Sequence, residues 1–181
     1  METILQIDRS ILDWIQENLR YDFLDEIFTF ITKLGNAGMI WIAVGIFLCC
    51  FKKWRKGGMT MLIAVAMAFL VGEMTIKPLV GRVRPFVYNP TLPLLIEPPN
   101  GFSFPSGHAM SSFAAATALF LCGNRRKSWS WFLGAALIAF SRVYLYVHYP
   151  SDVLLGSIFG ILSGMAAFYL VKKLWQRKTW L

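Results

Sequence analysis

Six ionisable residues, Lys77, Arg84, His108, Arg142, His148 and Asp152, sit beside long apolar runs, and the two histidines are the only ones in the chain. Near a bilayer such groups are costly, usually occupy a water-filled or paired site, and so mark function by default. They fall in three short segments: K-P-L-V-G-R-V-R-P at 77–85, P-S-G-H at 105–108 and S-R-V-Y-L-Y-V-H-Y-P-S-D at 141–152. If the three meet at one membrane face, cations, two imidazoles and a carboxylate converge there. That set suits the handling of a phosphate.

Each segment has its own logic. Pro78 and Gly81 make a bend that could turn both Lys77 and Arg84 inward, although a lone basic pair at a span end usually only snorkels toward headgroups. Ser106 suits a helix cap, and Gly107 leaves an anion room beside free backbone N–H groups. His108 lies in the first turn of the same helix. An ordinary capped helix start with an interfacial histidine explains that tetrad equally well. His148 and Asp152 are four apart, so the carboxylate can accept a hydrogen bond from one ring nitrogen while the other is presented as nucleophile or base. Arg142 supplies a planar fork that matches a phosphate bidentately. Metal coordination is the rival account; with no H-E-x-x-H pattern, remote cysteines and a crowd of cations, no metal and no cofactor are expected.

The elements that must position these residues are apolar helices. Of 181 residues, 56% are hydrophobic and only 15% charged, with a mean hydropathy of +0.53. Glu73 is the only charge between Gly57 and Ile76, and none occurs from Ser128 to Ser141 or from Val153 to Val171. Blocks of this kind predict an all-α, polytopic transmembrane bundle. Five spans are expected, at 36–51, 57–79, 106–122, 128–146 and 151–174, with 23–34 as a possible sixth. Ahead of them, Ile4, Ile7, Ile11, Leu12, Ile15 and Leu19 recur at helical spacing while Asp8, Asp13 and Glu17 take other faces, which predicts an amphipathic helix lying on the membrane. The chain thus divides into interfacial helices at 1–35 and a membrane core at 36–181. Gly156, Gly160 and Gly164 share one helix face and predict close packing inside the bundle rather than a dimer. Trp129, Trp131, Trp175 and Trp180 are placed near the interfaces. The proline-rich stretch at 88–104 is expected to lack regular structure and to cap the site or touch a headgroup.

Net charge is +8, and its distribution says more than its total. Basic residues gather at Lys52, Lys53, Arg55 and Lys56, at Arg125, Arg126 and Lys127, and at Lys172, Lys173, Arg177 and Lys178, each cluster against an apolar block. They are too short and too closely tied to helix ends for nucleic acid. As cytoplasmic loops they put the three chemical segments on the outer face of the membrane. No secretory signal peptide is expected. Cys49, Cys50 and Cys122 show neither a disulfide framework nor metal spacing.

Taken together, the segments resemble the type-2 phosphatidic acid phosphatase superfamily. Its signature has a lysine, six residues and Arg-Pro; then Pro-Ser-Gly-His; then Ser-Arg, five residues, His, three residues and Asp. Lys77, Arg84, Pro85, Pro105, Ser106, Gly107, His108, Ser141, Arg142, His148 and Asp152 match in order. The resemblance implies a membrane lipid phosphatase in which His148 attacks phosphorus and becomes a phosphohistidine, oriented by Asp152. Lys77, Arg84, Arg142, Ser106 and the Gly107 backbone would hold the phosphoryl oxygens. His108 would protonate the leaving oxygen and then activate water. It further implies a small bacterial protein of the cytoplasmic membrane that acts on undecaprenyl diphosphate, with phosphatidylglycerophosphate or phosphatidate as alternatives. A lipid phosphotransferase, or a binding or transport protein without chemistry, are readings of other classes. The expected partners are the lipid phosphate or diphosphate and the bilayer, with no nucleic acid and no obligate protein partner.

Overall fold

α7, Gly107–Cys122, is the helix around which the others pack, and its sequence explains why. Ala109, Ala114, Ala115, Ala116 and Ala118 are all fully buried, and side chains this small let neighbouring backbones come close. The computed structural model describes residues 2–177. The side chains of Arg125, Arg126, Lys127 and Arg177 lie outside the described part, as do the expectations placed on Lys178 and Trp180. Among the described residues the regular structure is entirely helical: α1 Glu2–Asn18, α2 Asp22–Leu34, α3 Met39–Cys49, α4 Arg55–Phe69, α5 Lys77–Val80, α6 Pro85–Tyr88, then α7, α8 Arg125–Tyr144 and α9 Pro150–Arg177.

The glycine stripe of α9 does what its spacing predicts. A Cβ on Gly160 would run into the Met110 carbonyl oxygen and come within 3.1 Å of the Ala114 nitrogen; one on Gly164 would meet the Ala114 oxygen at 2.7 Å. Both contacts are with α7, so the close approach is intramolecular. Because the obstacles are backbone atoms, Gly160→Val must push two helices apart, at a cost of about 3 kcal/mol, the upper end of ordinary overpacking. Thermal unfolding in detergent checks this; an unchanged midpoint would mean that the interface is loose.

Two irregularities shape the helices around the site. α4 passes into a π-helical turn, Leu70–Ile76, before α5. Gly81, at φ +63°, then ends α5 in a left-handed cap that a Cβ would disfavour. Between α2 and α3 the chain makes a 46° bend through Ala37 at φ 50° and Gly38 at φ 68°.

The expectation of five or six spans is overturned. Among the described residues, two helical stretches are long and apolar enough to cross a bilayer, Arg55–Tyr88 and Pro150–Gln176, and the bent α2–α3 pair makes at most a third. The apolar blocks were located correctly, but several are too short. α7 has 16 residues, about 24 Å at 1.5 Å per residue against a core of about 30 Å. α3 has 11. α8 begins on Arg125 and carries Arg142 in its last turn, so its charge-free run is only the 14 residues from Ser128 to Ser141.

The amino-terminal helix buries one side against the protein. Asp8 is 2% exposed, and Leu12 and Ile15 are buried with it against the segment from Val143 to Tyr149. Ile4, Ile7, Ile11 and Trp14 face outward instead. The amphipathic pattern was real, but part of the apolar set and one acid turn toward the protein. The proline-rich stretch lacks helix or strand beyond α6, as expected.

Candidate active site

A cavity of about 270 Å³ lies at one end of α7, between α4 with its π-helical turn and the α2–α3 bend. Lys77, Arg84, Gly107, His108, Arg142 and His148 all line it. Ser106 and Asp152, the other two expected residues, are fully buried and are not among its lining. One wall is apolar, formed by Val65, Ala68 and Phe69 of α4.

Arg84 is held by carbonyls. Its Nε donates to the Gly101 oxygen at 3.0 Å, Nη2 to the Asn100 oxygen at 3.1 Å and Nη1 to the Val147 oxygen at 3.0 Å. Two of these acceptors belong to the proline-rich loop, whose role is therefore to fix a guanidinium. Nη1 also lies 3.1 Å from His148 Nε2. A guanidinium can only donate, so Nε2 is the acceptor and the ring proton sits on Nδ1. Burial first, then the guanidinium groups of Arg84 and Arg142, push the His148 imidazole well below its ordinary pKa. His148 therefore presents a neutral, unprotonated Nε2.

The expected hydrogen bond between His148 and Asp152 is longer than its spacing suggested. Nδ1 and Oδ2 are 3.6 Å apart, too far for a hydrogen bond, and Nδ1 has no other partner. Asp152 is occupied elsewhere: Oδ2 accepts from the Tyr149 N–H at 3.0 Å and Oδ1 from Arg82 Nη1 at 2.5 Å. Asp152 thus lies on the Nδ1 side of the ring at the distance of an ion pair.

Arg82 was missed. It bridges Asp152 and Asp8, the latter at 2.7 Å, and stacks 4.0 Å over the Tyr149 ring. Asp8 also accepts from the Ser151 N–H at 2.9 Å and from its hydroxyl at 2.5 Å. A charge lying between Lys77 and Arg84 could have flagged Arg82. Nothing in the pattern of α1 distinguished Asp8 from its other acids.

The far wall comes from the amino-terminal third. Arg142 Nη1 donates to Thr32 Oγ1 at 2.5 Å, while its buried Nε has no partner. His108 Nε2 lies 3.2 Å from the Thr32 carbonyl and 3.1 Å from Asn36 Oδ1. A carbonyl only accepts, so the His108 proton is on Nε2. Thr32 and Asn36 carried no recognisable motif. Ser106 occupies the N-cap position of α7 but makes no side-chain cap; its hydroxyl is buried without a partner, and its N–H donates instead to the Asp152 carbonyl at 3.1 Å. Glu73, also missed, holds Lys77 Nζ between its two oxygens at 2.6 and 2.7 Å.

The arrangement can bind a tetrahedral anion among three cations and a helix start, with a neutral imidazole nitrogen facing it. Among the described residues, no three His, Cys, Asp or Glu side chains form a metal-ligand group.

Known proteins resemble this chain in sequence and in fold. A model of the PAP2 superfamily matches residues 57–176. An undecaprenyl-diphosphatase from Sulfolobus acidocaldarius is 39% identical over 142 residues, covering 76% of this chain and 66% of that protein, so the chain spans about two thirds of that relative's length. The crystal structure of Aquifex aeolicus LpxE superposes with a TM-score of 0.78 at 28% identity, over 88% of this chain and 93% of the other. A transmembrane PAP2-type phosphatidylglycerolphosphate phosphatase from Bacillus subtilis does so with a TM-score of 0.72 at 28% identity, over 98% and 88%.

Proposed function

The chain belongs to the PAP2 superfamily, and from that premise we propose that it is a multi-pass membrane phosphatase that removes phosphate from a lipid headgroup through a phosphohistidine, with an isoprenyl diphosphate such as undecaprenyl diphosphate as substrate. The observation that carries the reading is the convergence of Lys77, Arg84, Arg142, His108 and His148 on one cavity. The isoprenyl preference draws on the name of the Sulfolobus relative and on the apolar wall of α4, along which a lipid tail can run.

In the proposed reaction His148 Nε2 attacks the terminal phosphorus. The N–P bond forms as the bridging P–O bond breaks, and His108, which enters this step as the imidazolium, delivers a proton to the departing lipid oxygen and is left neutral. Lys77, Arg84 and Arg142 take up the charge on the phosphoryl oxygens, which is most of what phosphoryl transfer asks of a protein. Asp152 steadies the imidazolium from the Nδ1 side. Water, deprotonated by His108, then attacks phosphorus, the N–P bond breaks, and inorganic phosphate leaves.

The site is proposed to face outward. Lys52, Lys53, Arg55 and Lys56 lie at the start of α4, and Lys172 and Lys173 near the end of α9. Lys77 and Asp152 lie toward the opposite ends of those two helical stretches. With basic residues on the cytoplasmic side, the cavity opens at the other surface.

Purified protein should release phosphate from undecaprenyl diphosphate faster than from phosphatidylglycerophosphate or phosphatidate, in the presence of a chelator and without an added acceptor. Intact cells should hydrolyse a short-chain isoprenyl diphosphate supplied outside. Faster turnover of a glycerolipid would overturn the substrate, loss of activity restored by one specific divalent metal would overturn the mechanism, and a need for permeabilisation would overturn the sidedness.

A further inference from the structure

A carboxylate inside an anion site calls for a reason. Glu73 lines the cavity that holds Lys77, Arg84 and Arg142, and its side chain remains 32% exposed while Lys77 is 12% exposed. The two are four residues apart, and the π-helical turn that contains Glu73 runs straight into the helix that begins with Lys77. Glu73 does more than touch the lysine. Its Oε1 lies so close over Gly107 that a Cβ there would collide with it. The carboxylate therefore sits against both the ammonium and the first residue of α7, whose free N–H groups and dipole favour negative charge. These are the groups assigned above to a phosphoryl oxygen.

We propose that Glu73 is a resident counter-anion: in the empty site it takes one of the places that a phosphoryl oxygen occupies in the complex, and by competing for that place it speeds the departure of inorganic phosphate. The proposal rests on the reading of the cavity as a phosphate site. Its physical basis is the charge balance. Three fixed cations in a partly enclosed cavity attract a product phosphate strongly, because Coulomb attraction rises as the effective dielectric falls. A carboxylate that returns to Lys77 offsets part of that attraction and keeps that ammonium paired when the product goes. Part of the affinity for substrate is lost as well, but the lipid tail supplies binding that the free phosphate lacks.

A merely structural salt bridge predicts the opposite sign. If Glu73 only steadies Lys77, removing it disorders the lysine and weakens phosphate binding; if it competes, removing it tightens binding. The test is Glu73→Gln, which keeps the shape and discards the charge, with Glu73→Ala as a second variant should the first not fold. Affinity for inorganic phosphate is read from its inhibition of lipid diphosphate hydrolysis, followed by the lipid product, and from direct titration by phosphorus NMR. The expected result is phosphate binding about tenfold tighter or more, on the scale of one charge removed a few ångströms away. The steady-state rate should fall after an initial burst of one lipid product per enzyme. Unchanged or weaker binding in the variants, with wild type still inhibited, would overturn the role of Glu73 and leave the cradle standing. Failure of phosphate to bind wild type and variants alike would overturn both.

Discussion

His148→Ala gives a folded protein with neither turnover nor phosphoenzyme. The cavity loses the neutral, unprotonated nitrogen beside Arg84, the atom assigned to attack. His108 is turned to the Thr32 carbonyl and Asn36, and the Ser106 hydroxyl is shut away from the cavity. Loss of a nucleophile in systems of this kind removes about six orders of magnitude in rate. His108→Ala behaves differently. Turnover collapses, because the hydrolytic water lacks its base, but a diphosphate substrate has a leaving group that needs little protonation. Some acid-labile phosphoenzyme should therefore accumulate. Rapid-quench capture of labelled phosphate on both variants separates the roles, and labelled protein persisting in His148→Ala would sink the nucleophile assignment.

Asp152→Asn should lower the rate by about three to four orders of magnitude, by analogy with the orienting aspartate of catalytic triads. The reason is the network around it rather than a single hydrogen bond. Asp152 is fully buried, ion-paired with Arg82 at 2.5 Å and placed 3.6 Å from the His148 ring. An amide there removes the negative charge nearest the imidazolium that forms on phosphoryl transfer, while Arg82 stays in place through Asp8. The loss should appear in kcat with KM little changed, since Asp152 does not line the cavity. A rate within tenfold of wild type would show that the carboxylate is structural.

Much of the candidate site was legible from the residues alone. A charge beside an apolar run is conspicuous because lipid tolerates few of them, so Lys77, Arg84, His108, Arg142 and His148 stood out before any fold was known. Gly156, Gly160 and Gly164 announced a tight helix contact for a similar reason: the four-residue period puts them on one face, and only close backbone approach rewards the absence of a side chain there. The span count failed because hydropathy marks where apolar residues lie but not how many form one straight helix. The bend at Ala37 and Gly38 and the charges flanking α8 are geometric and positional facts that a window average blurs.

What the sequence determined by itself was therefore the chemical inventory and the helical class, since both depend on residue type and local period. What only the tertiary structure decided was who faces whom. Asp8 and Arg82 are 74 residues apart, Arg142 and Thr32 are 110 apart, and no periodicity within one helix can announce a partner at that distance. The placement of Glu73 over Gly107 depends on how the π-helical turn meets the start of α7, a contact between two elements rather than a property of either. Local pattern follows from backbone geometry along the chain; the pairing of buried charges follows from packing across it, where each ion needs a partner brought in from elsewhere.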